Sequence, residues 1–338
     1  LGMTHSSLFS QMVWPGDINN NGRVTGIDLL YLATQFGSLG PDRPNATTEW
    51  TPQEMGQSWN NTLPGILIDV AYADANGNGY IFQDDIDDGI SANFNKTHGT
   101  EIPDVFPPLG QEGVDSPIIV SSPVAEAGLG GHLEFELSLG SEAFPIQNFY
   151  GLNFKLLYDP ELVDGGLTFE KNQGWWVDPT SVRSRYLVKD NPDEGILEIT
   201  IVKVNHITSE GYGPLGKIVF DLTDNNNLVL PLSLDIEFMD VIMTNGSMQH
   251  TPLYPVGASL MITSNQTTYA CPDVVAPVCG DNGITYLNSC YAEAAGVDNY
   301  TEGVCFSDCI DPNLINPYAD CGDEYNPVCG CNGVTYIN

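Results

Sequence analysis

Two stretches of this 338-residue chain space oxygen-bearing side chains as a hard divalent cation requires. In the first, Asp17, Asn19, Asn21, Thr25 and Asp28 stand at positions 1, 3, 5, 9 and 12 of a loop whose sixth residue is Gly22. Calcium takes six to eight oxygens, and a loop of about twelve residues supplies them from these side chains and the carbonyl of position 7. Glycine at position 6 permits the sharp turn, and the position-7 carbonyl belongs to Arg23. The pattern returns with Asp74, Asn76, Asn78, the Tyr80 carbonyl and Asp85, with Gly79 at position 6 and a water expected at Phe82. Two Ca²⁺ sites are therefore expected. With two carboxylates per loop, dissociation constants on the order of 10⁻⁴ to 10⁻³ M follow, so that the ions act as staples and not as sensors.

Elements able to hold such loops follow each of them. Leu29 to Phe36 and Ile86 to Phe94 are amphipathic at helical spacing, so the layout is loop then helix, twice. Val24 is expected to lie inward against the partner loop. This duplicated loop-helix pattern, with Asp at position 12, resembles the dockerin module. The insertion from Gly37 to Asp69, rich in Pro, Asn and Trp, sets the copies farther apart than is usual for dockerins. Leu8, Phe9, Met12, Val13 and Trp14 precede the first loop; they are expected to be the tail of a preceding domain, with a strand lent to a neighbour as the alternative.

From residue 115 to 263 the texture changes to period-two alternation. His132 to Leu139, Asn153 to Tyr158, Ile196 to Val204, Lys217 to Leu222, Leu232 to Phe238 and Ala258 to Ile262 alternate apolar with polar residues. Asp159-Pro160, Asp164-Gly165-Gly166 and Asn245-Gly246 supply turns between runs. An antiparallel β-sandwich of some nine strands is predicted. The run Tyr150 to Val163, with Gly213 to Phe220, resembles the cohesin family of sandwiches, which binds dockerins. Both resemblances in one chain imply either an intramolecular brace or a head-to-tail association, and a head-to-tail contact that does not close gives a filament. Trp175 and Trp176 are expected to cap the sandwich core; the alternative is a sugar-stacking platform.

All eight cysteines fall between Cys271 and Cys331, which marks disulfide-stapled modules made in an oxidising compartment. Val278 to Cys290, with Cys271 and Cys305, resembles the Kazal module, and Pro327 to Asn338 begins a second copy. The resemblance implies bridges Cys271–Cys290 and Cys279–Cys305, and in the second copy Cys309–Cys331. Cys321 and Cys329 would then need partners beyond Asn338, so the natural chain is expected to continue. The resemblance places the inhibitory residue at Asp273 and, in the second copy, Asp323. No Lys or Arg occurs from 271 to 338, and a carboxylate would be buried unpaired in an apolar protease pocket. A stapled spacer is thus expected ahead of an inhibitor.

The fold class expected is multidomain and mainly β. It comprises a small α calcium-binding loop-helix module (1–105, with the insertion at 37–69), the cohesin-like antiparallel sandwich (115–263) and two Kazal-like modules (268–305 and 306–338). A net charge of -34 repels nucleic acid and anionic membranes and favours multivalent cations. No apolar run is long enough to span a bilayer. The five histidines have no ligand spacing, and no nucleophile elbow, phosphate loop or zinc-protease pattern occurs, so no enzyme is expected. The array resembles large modular surface proteins of Bacteroidota-type bacteria. That resemblance implies an extracellular structural or adhesive protein, such as a filament subunit, associating with itself or another surface protein. A module anchoring a partner enzyme or polysaccharide is the alternative, and a protease inhibitor the second alternative.

Overall fold

The structure, a computed structural model, describes residues 11–172, 174–176, 184–263, 274, 276–294, 297, 299–303, 305, 328–329 and 335–336. The chain divides into two compact units, Leu1–Gln266 and Thr267–Asn338.

The first unit opens with β1 (Met12–Val13), followed by the first loop and α1 (Gly26–Gln35). Within the insertion lies β2 (Gln53–Glu54), which pairs antiparallel with β1. Val13 is fully buried beside Met55, Ala71 and Tyr72, so Met12 and Val13 complete this module and are not the tail of another domain; Leu8 and Phe9 lie outside the described residues. The second loop leads into a helix wound with π-type hydrogen bonding over Asp85–Ser91.

The two copies clamp each other crosswise. Val24 is fully buried as expected, yet its amide bonds the Lys96 carbonyl, after the second helix, and not the second loop. Ile81 correspondingly pairs with Gly37 and Ser38, after the first helix. Each loop is thus closed by the chain leaving the other copy's helix, and the insertion does not disrupt that exchange.

The sandwich runs through β3 (Ser116–Ser121), β4 (Glu126–Gly128), β5 (His132–Leu139), β6 (Ile146–Phe149), β7 (Gly151–Leu157), β8 (Val163–Lys171), β9 (Ser184–Asn191) and β10 (Ile196–Lys203). It continues through β11 (Ser209–Gly211), β12 (Gly213–Leu222), β13 (Leu232–Thr244), β14 (His250–Thr251), β15 (Leu253–Val256) and β16 (Ala258–Thr263). One sheet has the order β4-β16-β13-β7-β10-β9 and the other β15-β3-β5-β12-β8. Most pairs are antiparallel; β15 with β3 and β16 with β4 are parallel. Between the sheets lie Phe135 and Ile218 from one and Leu152, Phe154 and Ile199 from the other, all fully buried. There are more strands than expected because pieces as short as β4, β6, β11 and β14 are too brief to display alternation.

One expectation is corrected here and another holds. Asp164-Gly165-Gly166 is not a turn but part of β8; both glycines hold positive φ, and the register with β12 slips there as a bulge. Trp176 is fully buried in the core and Trp175 packs edge-on to Phe149, ring centres 5.7 Å apart. The pair caps the core and offers no stacking platform for sugar.

In the second unit β17 (Val278–Gly280) pairs with β18 (Thr285–Tyr286) and β19 (Tyr300–Glu302) beside the short α2 (Ser289–Ala294). Val278, Ala292 and Val297 form its small core. Cys279 is bridged to Cys305 as expected, and Cys290 is also disulfide-bonded. Cys271, Cys309, Cys331, Asp273 and Asp323 lie outside the described residues. β20 (Val328–Cys329) pairs with β21 (Thr335–Tyr336) in the register of β17 with β18, Val to Tyr and Cys to Thr.

Candidate functional site

The first loop gathers its expected residues into one turn. Asp17 Oδ1 accepts from the Asn21 amide at 3.0 Å and Oδ2 from Gly22 at 3.0 Å; Gly22 has φ 91°, as position 6 requires. Asp28 Oδ1 takes the Ile18 amide at 2.7 Å and Oδ2 the Thr25 amide at 2.8 Å. Asn19 and Asn21 each accept an amide two residues on, at Asn21 and Arg23. Thr25 also caps α1, and with Asp28 it forms a reciprocal capping box.

The second loop repeats this with fewer partners. Asp74 Oδ2 accepts from Gly79, while Asp85 accepts from Asn76 and Phe82. Asn76 and Asn78 accept the amides of Asn78 and Tyr80. Arg43 of the insertion, itself buried, bonds the carbonyls of Ala71 and Ala75 and turns its charge toward Asp74 and Asp85.

Whether a cation suits these cages is decided by how their oxygens are satisfied. Asp17, Asp28, Asp74 and Asp85 are all buried, at most 1% exposed. Burial raises the pKa of all four. Asp28 is pushed well up by burial and by the charge of Asp17, and Asp85 to about 7. Asp74 Oδ1 has no hydrogen-bond partner. A buried carboxylate oxygen without a partner costs roughly 1–3 kcal/mol or more unless paired or metal-bound. Among the described residues no three His, Cys, Asp or Glu side chains form a ligand set by themselves, so amide, hydroxyl and carbonyl oxygens must contribute to each shell. That mixed oxygen set suits calcium and does not suit a transition metal.

Reasoning from sequence missed the neighbours of these loops. His98 Nε2 lies 2.7 Å from Asp17 Oδ2, with its ring stacked on Trp14. Asp104, beyond the second helix, accepts from Asn19, Asn21 and Thr25 side chains. The described strands also showed what faces α1. The Gly26 amide, at the positive end of the helix, donates to Glu198 Oε1 at 2.8 Å, and Asn153 bridges Glu198 to Thr200. At the other end Tyr150 Oη donates to the Ala33 carbonyl at 2.9 Å and His206 Nε2 lies 2.9 Å from the Phe36 carbonyl, as donor. Between them Ile27 and Leu30 join Tyr150, Leu187, Val202 and Val204 in a second hydrophobic core. A Cβ on Gly26 would strike Thr200, Asn153 and Glu198, so glycine alone allows this approach.

A cavity of about 500 Å³ opens beside the first loop, reaching Asp104, Asn153, Lys155 and Glu198. Lys155 is already paired with Asp240 at 2.6 Å.

Comparison with known proteins bears on separate parts of the chain. Residues 262–297 and 317–338 match family models of the Kazal-type serine protease inhibitor domain. Among solved structures, a chain of a type I cohesin–dockerin complex from Clostridium thermocellum is similar at 16% identity, covering 44% of this chain and 99% of that one, with TM-score 0.35. A non-cellulosomal cohesin from the archaeon Archaeoglobus fulgidus is similar at 17% identity, over 45% of this chain and 94% of that one, TM-score 0.33. A type II cohesin module of Acetivibrio cellulolyticus gives 13% identity over 43% and 96%, TM-score 0.34. No curated protein sequence matches the chain. No helix among the described residues is long and apolar enough to cross a membrane.

Proposed function

We propose that the first unit is a calcium-braced module of an extracellular, non-catalytic structural or adhesive protein, in which the dockerin-like pair braces its own cohesin-like sandwich. The observation that carries this reading is the seat of α1 on β7 and β10. Its N-terminus is bonded to Glu198, its C-terminal carbonyls to Tyr150 and His206, and its apolar side is buried. A sheet face so engaged is closed to a second chain, and assembly with neighbours would use other surfaces. Calcium in the two loops would fix the turn from which α1 departs. The disulfide Cys279–Cys305 and the charge of -34 both favour an oxidising, calcium-rich exterior.

Gly26→Val tests the brace. It should detach α1, lower the melting temperature and expose the apolar face to a hydrophobic dye; an unchanged melting temperature with no dye binding would contradict it. Electron microscopy of the full chain tests the wider role. Polymers dissolved by EDTA favour a filament subunit, and monomers a spacer or a module that anchors a partner enzyme or polysaccharide.

The Kazal-type matches favour a second reading, protease inhibition. Without Lys or Arg in 271–338, this reading requires nanomolar inhibition of a protease that accepts Asp or Glu, and assay against such enzymes tests it.

A further inference from the structure

At both loops the amides at positions 3 and 5 converge on a single carboxylate oxygen that the loop pattern does not name. At the first loop Asn19 Nδ2 and Asn21 Nδ2 donate to Asp104 Oδ1 at 3.3 and 2.9 Å, and Thr25 Oγ1, at position 9, donates to Asp104 Oδ2 at 3.3 Å. At the second loop Asn76 Nδ2 and Asn78 Nδ2 donate to Asp84 Oδ2 at 2.6 and 2.9 Å. One of these carboxylates comes from far along the chain and the other from position 11 of its own loop, yet they occupy equivalent places.

We propose that each cage takes a third carboxylate from outside its expected positions, Asp84 at the second loop and Asp104 at the first, so that filling the first site also fastens the linker into the sandwich. This rests on the calcium reading above. The amide oxygens of these asparagines already face their own loop, taking the amides two residues on. The amide hydrogens meanwhile hold the extra carboxylate at the loop's mouth, standing in for positive charge. At the second loop Asp74 Oδ1, buried and without a partner, is a separate sign that a cation is wanted there. Phe82 has no oxygen to offer at position 9, its ring being stacked on Tyr80, and Asp84 makes good that lack. At the first loop the Ile102 amide donates to the Asn21 carbonyl at 2.7 Å and His98 to Gly22 at 2.8 Å, so the segment carrying Asp104 is already laid along the loop. A third carboxylate raises the ligand charge count, which is what tightens calcium loops.

The test is calorimetric calcium titration of the full chain after stripping with chelator, for the wild type, Asp104→Asn and Asp84→Asn. Glu101→Gln and Asp88→Asn, exposed acids nearby, serve as charge controls. Two sites are expected in the wild type. Asp104→Asn should weaken one of them by about tenfold or more and Asp84→Asn the other, while the controls stay within about threefold. Asp104→Glu keeps the charge but displaces it, and should weaken the same site. Hydrogen exchange adds a separate readout, since calcium should slow exchange at Ile102 in the wild type and in Asp84→Asn but not in Asp104→Asn. Two sites in the wild type with Asp104→Asn and Asp84→Asn titrating like the controls would overturn this inference alone, as would wild-type affinity in Asp104→Glu. No calcium binding by the wild type would overturn it together with the calcium reading.

Discussion

At the first loop Asp17 meets His98, Asn21 meets Asp104, and the helix that follows begins against Glu198 of the sandwich. At the second loop the neighbours are the insertion, with Arg43 and Gly40 bonding the loop backbone at Gly77 and Gly79, and Asp84 from the loop itself. Two copies of one motif thus have different reach. On the calcium reading the first would couple an ion to the linker and the sandwich, whereas the second would couple one to the insertion, whose buried Arg43 turns its charge toward Asp74 and Asp85. A metal loop's sequence specifies the cage; what the ion stabilises depends on which chain lies over it.

The largest test of this contrast is removal of both ions. If each site is filled at a hundredfold excess over its dissociation constant, binding contributes about 2.7 kcal/mol per site. Chelation should then lower the melting temperature by on the order of 10 °C, as calorimetry with and without EDTA would register. Single variants separate the loops. Asp17→Ala should speed hydrogen exchange in β10 and the linker as well as in α1, while Asp74→Ala should speed it only around the second helix and the insertion. Equal exchange patterns from the two would erase the distinction. Glu198→Ala leaves the Gly26 amide and Asn153 without their buried acceptor, a loss of about 1–3 kcal/mol to be read by denaturant unfolding, with calcium affinity at the second loop unchanged. Tyr150→Phe removes one bond to Ala33 and should cost about 1 kcal/mol.

A separate effect is on pH. In chelator, burial holds the Asp85 pKa at about 7 against an ordinary value of 3.8, so the folded chain binds a proton more tightly than the unfolded one between those limits. Stability of the metal-free protein should therefore fall as pH rises from about 4 through 7. Saturating calcium should cancel that fall, because the ion takes the proton's place; urea midpoints across this range measure it.

The two loops were legible as turns because their spacing is local: Asp17 to Asp28 and Asp74 to Asp85 carry the whole pattern in sequence order. The β5 alternation from His132 to Leu139 was legible for the same reason, one face wet and one dry. Illegible were Asp104 and Asp84, whose carboxylates belong to no spacing rule, and the second face of β10. There Glu198 and Thr200 alternate like solvent-facing residues yet lie under α1, at 6% and 0% exposure. The glycines that permit this contact, Gly26 and Gly151, were visible, but their reason was not, since it lies in side chains more than a hundred residues away. A signal was present in Ile196 to Lys203, where Val202 breaks the outward polar series.

Native mass spectrometry of the full chain in millimolar calcium tests the central claim most directly. Two calcium ions per chain are predicted for the wild type, one for either Asp17→Ala or Asp74→Ala, and none for the double variant. A wild-type chain that carries no ion, or a double variant that still carries two, would contradict the account.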